Sequence, residues 1–435
     1  MSARRTLPEG ARRGWCPSLA RPMPTGDGLL ARVHPPLGAL SAAQMRAVAA
    51  GARAHGNGHI DVTARGNLQI RGVSEASAPR LACALAQAGL GDTRDDGGPQ
   101  RLTLTAPLAG LDPGERIDVP ALARAVEAAA CAVMGLPAKT LVAIDGGGAF
   151  GLGAVEADVF LFAEGPGEVV FGLAGEAGPL RCGVLPERRA AGALGLALIA
   201  FVGTGRRRMR DLDARERAMV AAAAGFYPFA PTPLTAAADP APPGLVALSG
   251  TMSALLVQAP FGRCTADRLD RLAALAGPDG ARLSPERGFA LLAPRESLAA
   301  LSAELAQAGF IVAPDDPRRA VAACPGAPAC RSGTTPVPDH AARLARALAP
   351  LAGLGTSASV HVSGCAKGCA HPGPADLTLV GRDGAYDVVL AGPASAKPAT
   401  RLAFEAALDR IRKAAAAGLS PPDPMFSQVF QDDVR

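Results

Sequence analysis

The chain alternates between two hydrophobic periods, and it does so twice in the same order. Gly28–Val33 is an apolar run of strand length. From Ser41 the apolar residues Met45, Val48 and Ala52 recur at helical spacing. Ser41 and Gln44 have the spacing of a capping box, and Gly56 stops the helix. His59–Thr63, a tight Arg65-Gly66 turn and a strand from Leu68 come next. In the second half, Ser253–Gln258 reads as the matching strand. Thr265 caps a helix with Leu269, Leu272 and Leu275 on one face. Ala281–Ser284, a turn at Arg287-Gly288 and a strand from Phe289 complete the copy, with the two Arg-Gly turns at corresponding places.

The correspondence continues into longer segments. Arg101–Pro107 aligns with Arg319–Pro325, which puts Ala106 where Cys324 stands. Asp118 with Pro120 opens a helix that ends near Gly135, and Pro338 opens its counterpart, which ends near Gly353. Thr140–Asp145 then lines up with Ala358–Ser363, and Val159–Phe162 with Leu377–Val380. The pattern predicts an internally duplicated α+β fold, each half made of a smaller and a larger α+β module. The expected divisions are 1–80, 90–225, a Pro-rich linker at 226–244, 245–312, 315–420 and an irregular tail at 421–435. Arg206–Arg217 is expected as a solvated, helix-like stretch and Pro228–Pro243 as an extended connector.

At 435 residues the chain exceeds the ~100–200 of one domain. Forty-four Lys and Arg against 39 Asp and Glu leave +5, too small an excess to argue for nucleic acid, and no basic run carries interleaved aromatics. Met1–Arg13 has arginines but no apolar core after them, so no leader is expected and the location is expected to be cytoplasmic. The longest apolar run, Ala190–Val202, is too short for a bilayer at ~20 residues and is expected as a buried helix.

Four of the nine cysteines gather in one stretch, as Cys324-x5-Cys330 and Cys365-x3-Cys369, among Pro325, Gly326, Pro328, Gly364 and Gly368. Gly and Pro hold tight turns and let backbone pass close to a bulky body. Four thiolates on two turns suit a cubane [4Fe–4S] cluster. Structural zinc is the competitor, although its knuckles space cysteines two to four residues apart. Four buried, inert cysteines are the third possibility.

These cysteine motifs resemble the cluster motif of the nitrite and sulfite reductases, the sirohaem/[4Fe–4S] superfamily. Arg13–Pro17, Pro22-Met-Pro-Thr-Gly-Asp-Gly-Leu-Leu30, Thr63-Ala-Arg-Gly-Asn-Leu-Gln69 and Ser363-Gly-Cys-Ala-Lys-Gly-Cys-Ala-His-Pro372 narrow the resemblance to the precorrin-3B synthase family. The resemblance covers most of the chain. It implies a nitrite/sulfite reductase-like fold of two ferredoxin-like half-domains and two larger α+β modules, the second holding the cluster. Cys324, Cys330, Cys365 and Cys369 would carry the cluster, with Cys369 at the place of the thiolate that bridges to sirohaem iron. Arg65, Gln69 and Arg101 would meet a macrocycle and its carboxylates, for which a guanidinium fork is suited. Arg32, Arg287, Arg71 and Lys367 are further candidates, and Lys139 is the catalytic one.

One departure separates functions. Sulfite reductases carry two lysines one residue apart where this chain has Lys139 and Leu141, which argues against six-electron sulfite reduction. The resemblance instead implies O2-dependent monooxygenation of precorrin-3A to precorrin-3B in aerobic cobalamin biosynthesis, a meso hydroxylation with γ-lactone formation. It also implies a mononuclear iron, and His371 is a candidate ligand or a plain loop histidine. Gly146-Gly-Gly148 does not complete a dinucleotide fingerprint, so NAD(P)H is expected only as an indirect electron source, through an electron-donor protein or reductase. Two other readings stay open: a sirohaem-dependent nitrite or sulfite reductase, and a non-catalytic iron–sulfur or tetrapyrrole-binding protein.

Overall fold

A computed structural model describes residues 15–235, 237–248, 250–352 and 358–430. Met1–Arg13, the Arg13-Gly14 start of one motif and the expected helix end at Gly353 lie outside these residues. The fold is mixed α/β with four sheets, and the duplication organises it.

The two smaller sheets are built alike. The first runs, in spatial order, Met23–Thr25, Gly28–Val33, Leu68–Val73, His59–Val62 and Arg263–Thr265. The second runs Gly244–Ala247, Met252–Gln258, Gly288–Pro294, Ala281–Ser284 and Ala39–Leu40. Each sheet therefore ends on a short strand donated by the other half, Arg263–Thr265 on His59–Asp61 and Ala39–Leu40 on Ala281–Arg282. The helices Ala42–His55 and Ala266–Leu275 cover these sheets, and residues of both halves from Leu19 to Phe310 form one continuous core. The ranges 1–80 and 245–312 are thus interlocked rather than self-contained.

Each larger module has its own sheet and core. The first orders Thr232–Pro233, Pro179–Pro186, Glu168–Ala174, Val159–Gly165, Val142–Asp145 and Thr103–Thr105. The second orders Val321–Ala323, Val360–Ser363, Ala375–Arg382, Ala385–Gly392 and Thr400–Leu402. In both, two parallel pairings lead into antiparallel ones, and Thr103↔Val142 in one copy matches Val321↔Val360 in the other.

Local signals act as read. Ser41 and Gln44 form the capping box, Asp118 caps Val119–Cys131, and Thr265 caps Ala266–Leu275. Four expectations change. The apolar run lies in the helix Glu187–Gly203, which buries Ala190, Leu194 and Phe201 but leaves Leu196 and Ile199 more than half exposed. The charged stretch is partly tied down: Arg208 pairs with buried Asp158 at 3.0 Å, and the helix starts only at Ala214, boxed by Asp213 and Glu216. The connector is anchored, because Thr232–Pro233 pairs with Leu180–Arg181 and the Asp239 and Ala238 carbonyls accept from Gly151 and Gly153. The tail is not irregular throughout: Pro424–Gln428 is helical, and Phe426 and Phe430 are buried in the second larger module.

Candidate functional site

The two cysteine loops leave the ends of adjacent parallel strands, Val321–Ala323 and Val360–Ser363. Three glycines weld them: a Cβ on Gly364 would lie 3.1 Å from Gly333 Cα and 3.2 Å from Gly326 Cα. A larger residue there would push two backbones apart by a few tenths of an ångström. Thr334 N donates to Gly364 O at 3.1 Å, Gly364 N donates to Cys324 Sγ at 3.2 Å, and Lys367 Nζ reaches Ser332 Oγ across the loops at 3.0 Å. Lys367 is therefore a tie between the loops. Burial raises the Cys369 thiol above its ordinary pKa, and Cys365, Cys324 and Cys330 add to the rise; Cys324 is raised in the same way. The four thiols influence one another electrostatically. Among the described residues, however, no three or more His, Cys, Asp or Glu side chains are arranged to hold a single metal ion. Four thiols on two loops are the donor set that a [4Fe–4S] cluster takes, one thiolate at each corner.

The first copy shows what the same loop does without thiols. Cys330 N donates to Gly326 O, and Asp112 N donates to Leu108 O in the matching turn, so Asp112 stands where Cys330 stands. Its carboxylate accepts from Gly114 N at 2.8 Å, Ala149 N at 2.6 Å and Phe150 N at 3.2 Å. Asp145 accepts from Gly147 and Leu152. Asp112 closes its loop where the other copy presents the sulfur of Cys330, and Asp145 stands where the other copy has Ser363.

Beside Cys324 and Cys369 lies a cavity of about 720 Å³, in the ~300–1,000 Å³ range of small-molecule and cofactor sites. Six arginines line it, Arg32, Arg65, Arg263, Arg268, Arg287 and Arg318, against one carboxylate, Asp61. Asp61 is already shared, accepting from Arg263 Nε at 2.6 Å and Arg71 Nη1 at 3.2 Å. Arg318 is neutralised by Asp316 and held by the Gly309 and Phe310 carbonyls. The rest is a basic excess around an apolar-walled space. Burial lowers the pKa of Arg32, Arg65 and Arg287 from the ordinary value.

The candidates fall in three groups. Arg65, Arg32, Gln69 and Arg287 line the large cavity. Arg65 is steadied by one bond, Nη1 to Lys139 O at 3.2 Å, and Arg287 by Nη2 to Ala370 O at 2.7 Å, so each keeps donors facing the cavity. The Gln69 amide, in the orientation that satisfies both groups, accepts from Arg32 Nε at 3.0 Å and Nη2 at 2.7 Å. Arg101 is placed elsewhere. It lines a smaller cavity of about 290 Å³, its guanidinium bonds the Pro35 and Arg65 carbonyls, and burial lowers its pKa to about 10. Lys139 is exposed and outside the lining of the large cavity; its carbonyl is what holds Arg65. Arg71 is a third case, a buried ion-pair centre that bonds Asp27, Asp61 and Ala329 O. His371 faces Pro374 O at 3.0 Å, with its ring edge-on to buried His361.

The turns match with a one-residue offset from the sequence alignment. Gly66 N donates to Thr63 O and Arg287 N to Ser284 O, with φ of +60° and +59°. Arg287 thus stands at the place of Gly66, and Glu286 at the place of Arg65. Sequence reasoning missed Arg263, Arg268 and Arg318. Arg263 and Arg268 lie in the donated strand and the helix after it, where no local pattern reports a neighbour some 200 residues away.

The chain is similar in sequence and fold to known proteins. The profile of the nitrite/sulfite reductase ferredoxin-like half domain matches residues 21–88. Precorrin-3B synthase of Sinorhizobium sp is 38% identical over 410 residues, covering 89% of this chain and 84% of the relative. Ferredoxin–nitrite reductase of Leptolyngbya laminosa is 28% identical over 417 residues, covering 84% and 79%. The NirA protein of Mycobacterium tuberculosis superposes with a TM-score of 0.68 at 23% identity, over 94% of this chain and 85% of that one, a likeness of fold.

Proposed function

Since the chain belongs to the precorrin-3B synthase family, within the nitrite/sulfite reductase superfamily, we propose that it converts precorrin-3A to precorrin-3B in aerobic cobalamin biosynthesis. One observation carries this reading: the 720 Å³ cavity sets six guanidiniums against one carboxylate beside Cys324 and Cys369. A macrocycle ringed with carboxylates is the ligand such a charge imbalance suits. Arg65 and Arg287 offer it donors from turns that are already fixed, which limits the ordering cost of binding. Arg32, oriented by Gln69, adds a further fork. Arg101 acts behind them as a brace of the Arg65 turn, and Lys139 through its carbonyl.

The reaction is a monooxygenation with O2. One oxygen atom enters the meso position as hydroxyl with closure of the γ-lactone, and the other leaves as water with two electrons and two protons. A [4Fe–4S] cluster held by Cys324, Cys330, Cys365 and Cys369 supplies single electrons when bound. The electrons come from NAD(P)H through an electron-donor protein or reductase. A mononuclear iron finds no set of three or more His, Cys, Asp or Glu ligands among the described residues, and no step is assigned to it. No helix among the described residues is long and apolar enough to cross a membrane, and the proposed location is the cytoplasm.

The test is anaerobic purification, an absorption spectrum, and turnover of precorrin-3A under 18O2. Incorporation of one labelled oxygen with a cluster spectrum alone is the expected result. Sirohaem bands with nitrite or sulfite reduction and no precorrin turnover would replace this reading by a reductase.

A further inference from the structure

Two of the cavity's arginines come from the strand that the second half donates to the first sheet and from the helix after it. Arg263 is half used. Its Nε is fixed on Asp61, while its Nη2 is buried with no hydrogen-bond partner. Leaving a buried charged donor unpaired is costly, so such a group marks the place of a missing acceptor. Arg268, in the first turn of the helix, has no ion pair or side-chain hydrogen bond among the described residues. Its guanidinium packs over Gly309, where a Cβ would come within 2.8 Å of Nη2. The nearby Arg318 cannot take a ligand in the same way, because Asp316 and the Gly309 and Phe310 carbonyls hold it. Asp61, the one carboxylate in the lining, is already shared by Arg263 and Arg71.

We propose that Arg263 and Arg268 form a carboxylate subsite, separate from Arg32 and Arg65, that grips the neighbouring acetate and propionate of one pyrrole ring. This rests on the reading of the large cavity as a tetrapyrrole site. Two guanidiniums supplied by one short segment meet two carboxylates carried on adjacent ring carbons, one fork to each. The pair therefore selects for a ring that keeps its acetate. Because the segment belongs to the second half while Arg32 and Arg65 belong to the first, the site is complete only when the donated strand is in place.

The experiment is a binding titration on the full chain with two probes, uroporphyrin, whose rings carry acetate and propionate, and coproporphyrin, which lacks the acetates. Parent protein, Arg268→Ala, Arg268→Lys and Arg263→Gln are compared, with melting temperatures recorded for each. Arg268→Ala is the decisive variant, since its side chain holds no protein partner and its melting temperature should not move. It should lose about tenfold or more in uroporphyrin affinity, the size of a charge-assisted hydrogen bond, and in whichever of Arg268→Ala and Arg263→Gln removes the fork on the acetate the loss should be much smaller for coproporphyrin. Arg268→Lys should recover part of the loss. Unchanged uroporphyrin affinity in Arg268→Ala, or losses equal for both porphyrins in Arg268→Ala and in Arg263→Gln alike, overturns the subsite while leaving the tetrapyrrole cavity standing. A parent protein that binds neither probe overturns the cavity reading and the subsite with it.

Discussion

Replacing Arg71 with Met tests how the first half holds the cysteine loop of the second. The Arg71 side chain is 3% exposed. It bonds Asp27 through Nε at 3.0 Å and Nη2 at 2.8 Å, and Asp61 through Nη1 at 3.2 Å. Its Nη2 also donates to Ala329 O, next to Cys330, at 2.6 Å. Gly26 N meets the same carbonyl at 3.1 Å, so close that a Cβ on Gly26 would lie 2.1 Å from Pro328 O. Met keeps most of the volume and removes the charge. Stripping one partner from a buried pair costs about 3–5 kcal/mol. The lower end applies, because Asp61 keeps Arg263 and Asp27 keeps Thr25 and Asn57. Ala329 O retains Gly26 N–H, so the lost bond there adds about 1 kcal/mol. The sum is about 4 kcal/mol, with a lower iron content because the loop that carries Cys330 keeps its tie to Gly26 but loses the one to Arg71.

The loss also has a pH signature. Burial raises the Asp27 pKa, but hydrogen bonds from Arg71, Thr25 and Asn57 and the Arg71 charge outweigh it and leave it below 3.8. A depressed carboxylate stabilises the fold above its unfolded pKa and stops doing so as pH falls through the folded value. The gap between parent and variant should therefore narrow below about pH 4. Urea unfolding, with iron and acid-labile sulfide per chain, measures both effects. An Arg71→Met protein within about 1 kcal/mol of the parent and with full iron would refute the reasoning.

Three further outcomes are expected. Residues 15–88 expressed alone should show no cooperative unfolding by calorimetry, because the two small sheets share one core and exchange edge strands. Iodoacetamide at pH 8 should label exposed Cys83 and Cys131 but not Cys182 or Cys264, whose thiols burial pushes up to about 12; peptide mass spectrometry reads this directly. Burial raises Glu115 to about 7, against a backbone bond from Gly110 that pulls the other way. A raised carboxyl pKa favours the folded state at low pH and loses that contribution as pH rises toward 7. Glu115→Gln should therefore gain melting temperature relative to the parent between pH 5 and 8, and a difference that does not grow with pH would contradict this.

Much of the fold was written in local pattern. The strand at Gly28, the capped helix after Ser41, and their counterparts at Met252 and Thr265 follow from short-range periodicity and caps, which act within a turn or two of chain. The cysteine loops were legible for the same reason, since the Gly and Pro that shape them are their sequence neighbours. The duplication was legible as a repeated order of elements, but not to the residue. Gly66 and Arg287 share a left-handed turn position that aligning two Arg-Gly pairs sets one residue out of step.

The fate of each arginine was not legible. Arg101, Arg71 and Arg65 all sit beside apolar strands in the sequence. One became a buried brace for carbonyls, one an ion-pair centre, and one a wall of the cavity. The difference lies in partners far along the chain: Lys139 for Arg65, Ala329 for Arg71, and Asp61 for Arg263. A guanidinium takes whichever acceptors the packed chain brings within about 3 Å. Local sequence determines which elements form; the exchange of strands between the halves decides which charges meet, and so where the cavity keeps donors for a ligand.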